Sequence, residues 1–592
     1  MIIQADALPD STELAAHLAV VGAGPAGIVI ALEAAKHGFD VLLIESGYDK
    51  FNARVQQLSD AAAWDSGLHS PMSLTVRRQL GGTSVLWPGR CLPYDPVDFD
   101  RRPTITPTAW PVTYDELVPY FQRACDWLRC GRAVFNIGAM SHLPPSLVPG
   151  LFDADASAGT LERWSLQPNF ARGYGAALRQ SDRVRVVTGL TCTEVITSPG
   201  GTCARQLACR TLDGKRISIR ARSYVIACGG LETTRLLLAS RGPSGAALGD
   251  HSGHLGSWYM GHLLGVIANV RFHTSPRATV FDFERDVDGT YIRRRFSIKR
   301  EVQLRDGLPN TVAWLANPEL PDASHRNGAL SLTYLLLRSP LGRMLMADSP
   351  RLSMTGEDVP GSPYRGAVRT PIHSHLANVA RDVPSVTRFA FEFGWRRFLV
   401  RKGKAPGFFV RSPNNLYPFE FQGEHIPSRR SRVGLSSERD AVGMPRLTID
   451  LRFSQQDVDG ILRCHEVWDD YLKHSGCGRL EYLSQDPSSL VWSRVGGGFH
   501  QLGTTRMAAR AEDGVVDRHL AVHGLSNLFV ASSSVFLTSG QANPTFMIVT
   551  FALRLADRLK SVLPELEGPH EVGNINGSTA PRSAGRTLAP LP

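Results

Sequence analysis

No stretch of this 592-residue chain approaches the roughly twenty consecutive apolar residues that a membrane-spanning helix needs, so no span is predicted. The nine cysteines (91, 125, 130, 192, 203, 209, 228, 464 and 477) are odd in number and include no CxxC pair and no Cys/His metal spacing. No metal site is expected. Cys192, Cys203, Cys209 and Cys228 fall in strand-like runs and read as small buried hydrophobes, and reduced thiols suit a cytoplasmic protein. The opening MIIQADALPDSTELAAHLAVVGAG has no basic segment, cleavage site or twin-arginine motif and leads straight into a strand, so export is not expected. No internal repeat is present. Only one glycine fingerprint sits in a strand-helix-strand frame; Gly496-Gly497-Gly498 does not, which argues against a second, nicotinamide-type dinucleotide.

The composition that remains is that of an ordinary globular protein, with 43% hydrophobic and 20% charged residues. The length predicts two interleaved or consecutive domains. The net charge of +10 comes mostly from arginine, in clusters such as Arg293-Arg294-Arg295, Arg396-Arg397 and Arg429-Arg430. A solvated face or salt-bridge network is the favoured reading; an anionic substrate, an acidic carrier or a membrane surface are the alternatives. Nucleic acid is not expected, because no binding motif accompanies the charge.

His17–Val21 is a short apolar run followed by Gly22-Ala23-Gly24-Pro25-Ala26-Gly27, a helix-like stretch, and a second apolar run, Val41–Ile44, ending in Glu45. This is a complete βαβ unit with glycines at the positions that bind a dinucleotide. Gly22 permits the tight turn, Gly24 lets the backbone approach a pyrophosphate, and Gly27 allows helix to pack on strand. Glu45, eighteen residues after Gly27, is placed to accept from ribose hydroxyls. An acid there disfavours NADP.

At the other end, HQLGTTRM begins at His500 and QANPTF ends at Phe546. Asn543 has the character of an N-cap and Pro544 suits the first helical position, with FMIVTFALRLADRL following at helical periodicity. A proton acceptor, an amide and an electropositive helix end together point to redox chemistry on a hydroxyl.

Between these ends, residues 183–228 alternate as a strand, a small antiparallel meander and a return strand; Gly229-Gly230 then turns into a helix. From about 266 to 487 strands (VIANVRF, YPFEFQGEHI, RVGLS, PRLTIDLRF) mix with helices predicted over 328–346, 377–398 and 454–474. This texture predicts a second, sheet-based domain inserted in the nucleotide-binding one. The tail from 563, rich in Pro, Gly and Ser, is predicted to be disordered.

Four blocks, GAGPAG (22–27), LGGTSVLWPGR (80–90), YVIACGGLETTRLLLAS (224–240) and the stretch from His500 to Thr545, occur in an order that resembles the glucose–methanol–choline (GMC) family of flavin-dependent alcohol oxidoreductases, of the bacterial sugar-oxidising type. The resemblance spans about 20 to 562. It implies an α/β fold: a Rossmann-like FAD-binding domain (15–110, 183–265 and 488–562) with an inserted α+β substrate-binding domain on an antiparallel sheet (111–182 and 266–487 with connecting segments). It also implies FAD, with Gly22, Gly24 and Gly27 at the pyrophosphate, Glu45 at the ribose, and Gly81, Gly82, Thr83 and Ser84 along the flavin and its linker. Pro25, Ala26, Ser46, Trp87, Cys192, Gly229, Ser532, Asn543, Pro544 and Thr545 complete the implied cofactor site. Leu86 stands where some relatives carry a flavin-linked histidine, so FAD is expected to be non-covalent.

His500 matches the family's catalytic histidine and Asn543 its second active-site residue. The implied reaction is oxidation of a hydroxyl to a carbonyl, with His500 taking the proton and hydride passing to flavin N5. An unperturbed histidine titrates near pH 6.5, so activity is expected to fall as His500 is protonated. The expected substrate is a sugar, glycoside, aminosugar or cyclitol; a sterol or terpenoid alcohol, or a non-redox lyase reaction, is the alternative. The expected electron acceptor is O2 or a soluble carrier. Two departures stand out: Ser532 replaces a common aspartate, and Leu537 a common proline. His262 reads as a structural histidine near the domain junction, and Glu424 as either an outward strand residue or a group facing the flavin.

Overall fold

A computed structural model describes residues 1–106, 108–346, 348–361, 366–400 and 405–565. Two eight-stranded sheets organise the chain. In the first, Ile2–Gln4, Val184–Thr188, Val41–Glu45, Thr12–Val21 and Arg216–Ile226 lie side by side and parallel, and Leu528–Val530 pairs in parallel with Arg216–Ile226. The meander Thr191–Thr197 and Ala204–Arg210 closes one edge in antiparallel pairing. Val41–Glu45 is buried along its whole length, as expected of a parallel strand covered on both faces. The helices Pro25–Lys36 and Thr545–Glu565 pack on each other over this sheet.

The second sheet is antiparallel throughout: Gly478–Tyr482, His262–Phe272, Leu416–Glu424, Thr311–Leu315, Tyr291–Ile298, Ala156–Trp164 and Arg90–Cys91, in that order. Its back packs on the helix Gln455–His474, whose buried Ile461, His465 and Trp468 meet Phe419 and Phe421. This is the Rossmann-like fold with an inserted antiparallel-sheet domain.

The insert between Thr311–Leu315 and Leu416–Glu424 is helical, and prolines subdivide it. The helix expected over 328–346 is broken into Gly328–Arg338 and Pro340–Leu345, because Pro340 lacks the N–H that would continue the first helix. The one expected over 377–398 is Ile372–Arg381 and Val383–Gly394, with Pro384 in the first turn of the second, followed by a turn Trp395–Leu399. At the C-terminus the last helix runs on to Glu565, three residues into the predicted tail; residues 566–592 lie outside the described ones.

The arginine run 293–295 is not a solvated face. All three side chains are buried, and period-2 alternation divides them. Arg293 pairs with Glu162, Arg294 with Glu284 on the opposite face, and Arg295 donates to Gln541. Salt bridges and a buried amide absorb the charge.

Candidate active site

A cavity of about 1080 Å³ lies between the two sheets. One part of its wall is the glycine turn. Gly22 holds φ +101°, and a Cβ on it would sit 2.4 Å from the Ala227 carbonyl oxygen. A Cβ on Gly27 would fall 1.9 Å from the Gly22 oxygen, so helix and strand touch only because both are glycine. Gly24 is different: a Cβ there would meet nothing nearer than 4.0 Å, and its bareness keeps the cavity floor clear. The helix Pro25–Lys36 starts at this point with no side-chain cap, leaving first-turn N–H groups for an anion.

Glu45 accepts from the Ala23 N–H (2.9 Å) and the Gly47 N–H (2.8 Å), one on each carboxylate oxygen, which leaves lone pairs for a ribose. Burial raises its pKa, opposed by those two N–H groups and by Arg78. Ser46, beside it, accepts from Arg78 at 2.8 Å. Gly82, Thr83, Ser84, Trp87, Cys192, Gly229, Ser532, Pro544 and Thr545 all line the same cavity, as do Gly22, Pro25 and Ala26. Gly27 and Gly81 do not; they serve the turn from behind, Gly81 donating its N–H to the Ala23 oxygen at 2.8 Å. Ser532 accepts from the Ser534 N–H and hydroxyl, both at 3.1 Å, and keeps its own hydrogen to donate. These residues fit an extended FAD.

The catalytic candidates His500 and Asn543 both line this cavity. His500 Nδ1 lies 2.9 Å from His262 Nδ1. His262 Nε2 lies 3.1 Å from the Ser539 carbonyl oxygen, which only accepts, so His262 carries its proton on Nε2 and a lone pair on Nδ1. The Nδ1 proton of the pair therefore belongs to His500. Its Nε2 is left as a lone pair with no protein partner among the described residues, on a ring that lines the cavity. Burial first, and then the Arg90 charge, pull the His500 pKa from its usual range down to about 4. His262, buried and next to His500, is held well below the usual range too. The acid limb expected near pH 6.5 is thereby displaced downward.

Asn543 does not cap the helix. Its Oδ1 accepts from Arg90 Nη1 (3.3 Å) and Gln422 Nε2 (3.2 Å), which turns the amide NH2 away from both donors as a free pair of N–H groups beside the cavity. The helix begins one residue later than expected, with the Ile548 N–H donating to the Pro544 oxygen. Arg90 is the hub: it also pairs with Glu162 through Nε and donates to Gln422 Oε1 at 2.8 Å, while its buried Nη2 has no hydrogen-bond partner. Burial pushes the Glu162 pKa up, but Arg293, Arg90 and Arg295 outweigh it and hold the carboxyl below the usual range. Trp314 lies between Arg90 and Arg293, each 4.5 Å from its ring centroid, and donates its indole N–H to Glu420.

Glu424 satisfies neither expectation. It is fully buried, holds Arg102 in a bidentate pair at 2.7 Å, and accepts from Thr538 and the Asn310 N–H; it does not line the cavity. Glu420 and Gln422, earlier on the same strand, do. Arg90, Gln422, Glu420 and Trp314 have no role in the sequence reading, although Arg90 ends the quoted LGGTSVLWPGR block, and His262 has only a structural one there.

The GMC oxidoreductase family model matches residues 427–552, a span containing both His500 and Asn543, and an NAD(P)-binding Rossmann-like model matches residues 20–50, containing the glycine turn and Glu45. Over these spans the chain is similar to the GMC oxidoreductases. The chain is 22% identical to 2-methyl-1,2-propanediol dehydrogenase of Mycolicibacterium austroafricanum, over 91% of this chain and 94% of the relative. It is 22% identical to 6'''-hydroxyparomomycin C oxidase of Streptomyces lividus (95% and 94% covered) and 24% to paromamine 6'-oxidase of Streptomyces fradiae (93% and 92%). Its fold matches pyridoxine 4-oxidase from Mesorbium loti with a TM-score of 0.51 at 17% identity, over 91% of this chain and 98% of that one. A formate oxidase matches with a TM-score of 0.50 at 15% identity, over 95% and 100%. The chain is an FAD enzyme acting on CH–OH groups. Among the described residues no helix is long and apolar enough to cross a membrane, and no group of His, Cys, Asp and Glu could hold a metal ion.

Proposed function

We propose that His500 Nε2 accepts the proton of a substrate hydroxyl that is oxidised to a carbonyl. The observation that carries this reading is the His262–His500 contact, which leaves a lone pair on the one ring nitrogen without a protein partner. Bound FAD supplies the hydride acceptor, at flavin N5. The Asn543 amide donates to the substrate oxygen and orients it toward His500, and the helix start at Pro544 and Thr545 presents its positive end to the cofactor. FAD is held without a covalent bond at Leu86. Nine free cysteines suit a reducing cytoplasm, and O2 or a soluble carrier reoxidises the flavin.

The substrate is carbohydrate-like: a sugar, glycoside, aminosugar or cyclitol. Support comes from the relatives named for paromamine and 6'''-hydroxyparomomycin C, and from the polar side chains of Arg90, Glu420 and Gln422, which line the same cavity as His500. A second reading, a hydrophobic alcohol, is favoured by one observation. One part of the cavity wall is made by Leu336, Met354, Phe389, Phe393 and Phe408.

Anaerobic mixing of the FAD-loaded enzyme with a panel of polyhydroxy compounds and apolar alcohols tests this. Flavin bleaching by a polyhydroxy compound is the expected result. Bleaching by sterol or terpenoid alcohols alone selects the second reading, and turnover without bleaching selects a lyase. His500→Ala should slow bleaching by roughly 10²-fold or more, the usual worth of a general base; an unchanged rate would refute the assignment. Peroxide formed against dye reduced separates an oxidase from a dehydrogenase.

A further inference from the structure

Large apolar side chains that stand in solvent are concentrated in one place. Of the twenty-two that are exposed among the described residues, eleven lie between Leu336 and Leu399, in the helical insert. Met344 is 84% exposed and Phe391 71%. They fall in rows. Ile372 and Leu376 are one turn apart on Ile372–Arg381, and Val383, Phe391, Trp395 and Leu399 keep a four-residue spacing along the helix that follows and its last turn. The Phe391 and Trp395 rings stack at 6.2 Å. Leu336 and Met354 reach the cavity wall, but Ile372, Leu376, Val383, Phe391, Trp395 and Leu399 do not. Phe389 and Phe393, on the same helix as Phe391, do, stacking on each other at 5.4 Å and packing on Phe408. The helix is therefore apolar on its cavity side and on its solvent side, a pattern that demands a second apolar environment outside.

The same segment carries the chain's charge. Residues 336–404 hold twelve Lys and Arg against five Asp and Glu, a net +7 out of the chain's +10. Arg343 and Arg381 are exposed and form no ion pair among the described residues. Basic side chains beside exposed Phe, Trp, Leu and Met describe a surface that lies in the headgroup region of an anionic bilayer. A second copy of the chain is a poor occupant, because a two-fold contact would set +7 against +7. Nucleic acid would leave the apolar rows exposed.

We propose that the helical insert docks the enzyme onto an anionic lipid surface. Docking sets the apolar wall of the cavity, Leu336, Phe389 and Phe393, next to the bilayer interior. The substrate class this admits is an amphiphilic alcohol, its hydroxylated head at Arg90 and Glu420 and its apolar tail along those phenylalanines. That part rests on the alcohol oxidation proposed above; the docking itself does not.

The test uses the full-length, FAD-loaded enzyme and two kinds of sedimentable vesicle, phosphatidylcholine alone and phosphatidylcholine mixed with phosphatidylglycerol. The enzyme should sediment with the anionic vesicles at low salt and leave them at high salt. Arg343→Glu with Arg381→Glu, and separately Phe391→Ser with Trp395→Ser, should each weaken vesicle partitioning by about tenfold or more while keeping the flavin-to-protein ratio of the parent. No binding to anionic vesicles at low salt overturns the proposal. So does binding that neither double variant weakens, concentration-dependent dimerisation abolished by the Phe391/Trp395 pair, or capture by polyglutamate in place of vesicles. Vesicle binding intact in a His500→Ala enzyme that no longer bleaches separates docking from the oxidation chemistry.

Discussion

His262 is the residue whose replacement tests the site most directly. Its Nδ1 accepts the only protein hydrogen bond that the His500 ring offers among the described residues, at 2.9 Å, and its own proton is committed to the Ser539 oxygen. In His262→Leu that acceptor is gone. His500 then either keeps a buried N–H without a partner, at a cost of about 1–3 kcal/mol, or shifts its proton to Nε2, where the nitrogen needed as a base becomes a donor. At 1.4 kcal/mol per factor of ten, the base-competent fraction falls roughly 5- to 140-fold. Asparagine at 262 restores an acceptor oxygen near the position of Nδ1, and His262→Asn should recover most of the lost rate. The assay is anaerobic single-turnover flavin bleaching with any alcohol that reduces the parent enzyme, at matched FAD content. A general loss of packing would depress both variants alike. A Leu variant that bleaches at the parent rate, or an Asn variant as slow as Leu, would refute the tautomer argument.

The remaining expectations rest on the same distances and charges. Because His500 is held to about pKa 4, the bleaching rate should stay level as pH falls through 6.5 and decline only near pH 4; Arg90→Met removes one depressing charge and should move that decline upward, though not to 6.5, since burial is the larger cause. A decline centred at 6.5 in the parent enzyme would contradict this electrostatic account. Arg102→Met strands the buried Glu424 carboxylate and should cost about 3–5 kcal/mol, read as a lower thermal midpoint of the FAD-loaded protein, whereas Arg305→Met, at an exposed pair, should leave the midpoint almost unmoved. Acid precipitation should leave yellow flavin in the supernatant, because Leu86 offers no nucleophile; colour retained in the pellet would mean a covalent link elsewhere.

The division between what the sequence discloses and what it hides follows sequence separation. The glycine turn and Glu45 are legible because the constraints act within one strand-helix-strand unit: Gly27 abuts Gly22 five residues away, and no other side chain fits. His500 and Asn543 are legible only through their resemblance to a family, and even then Asn543's local signal misleads. Its position before Pro544 reads as a helix cap, yet its oxygen is claimed by Arg90, 453 residues away, and by Gln422, 121 away. Partners at such distances are set by strand register, which periodicity does not encode. Glu424 shows the limit most clearly. Alternation along LYPFEFQGE correctly groups Glu420, Gln422 and Glu424 on one face, and two of the three line the cavity. The third does not, because Arg102 and Thr538 cover the strand's end and its register partner His262 stands there instead. Period-2 patterning tells which face a side chain takes, but whether that face opens on the site or on a buried arginine depends on neighbours brought in from hundreds of residues away. His262 reaches His500 by another such pairing, in which Met260 and Leu502 exchange backbone hydrogen bonds.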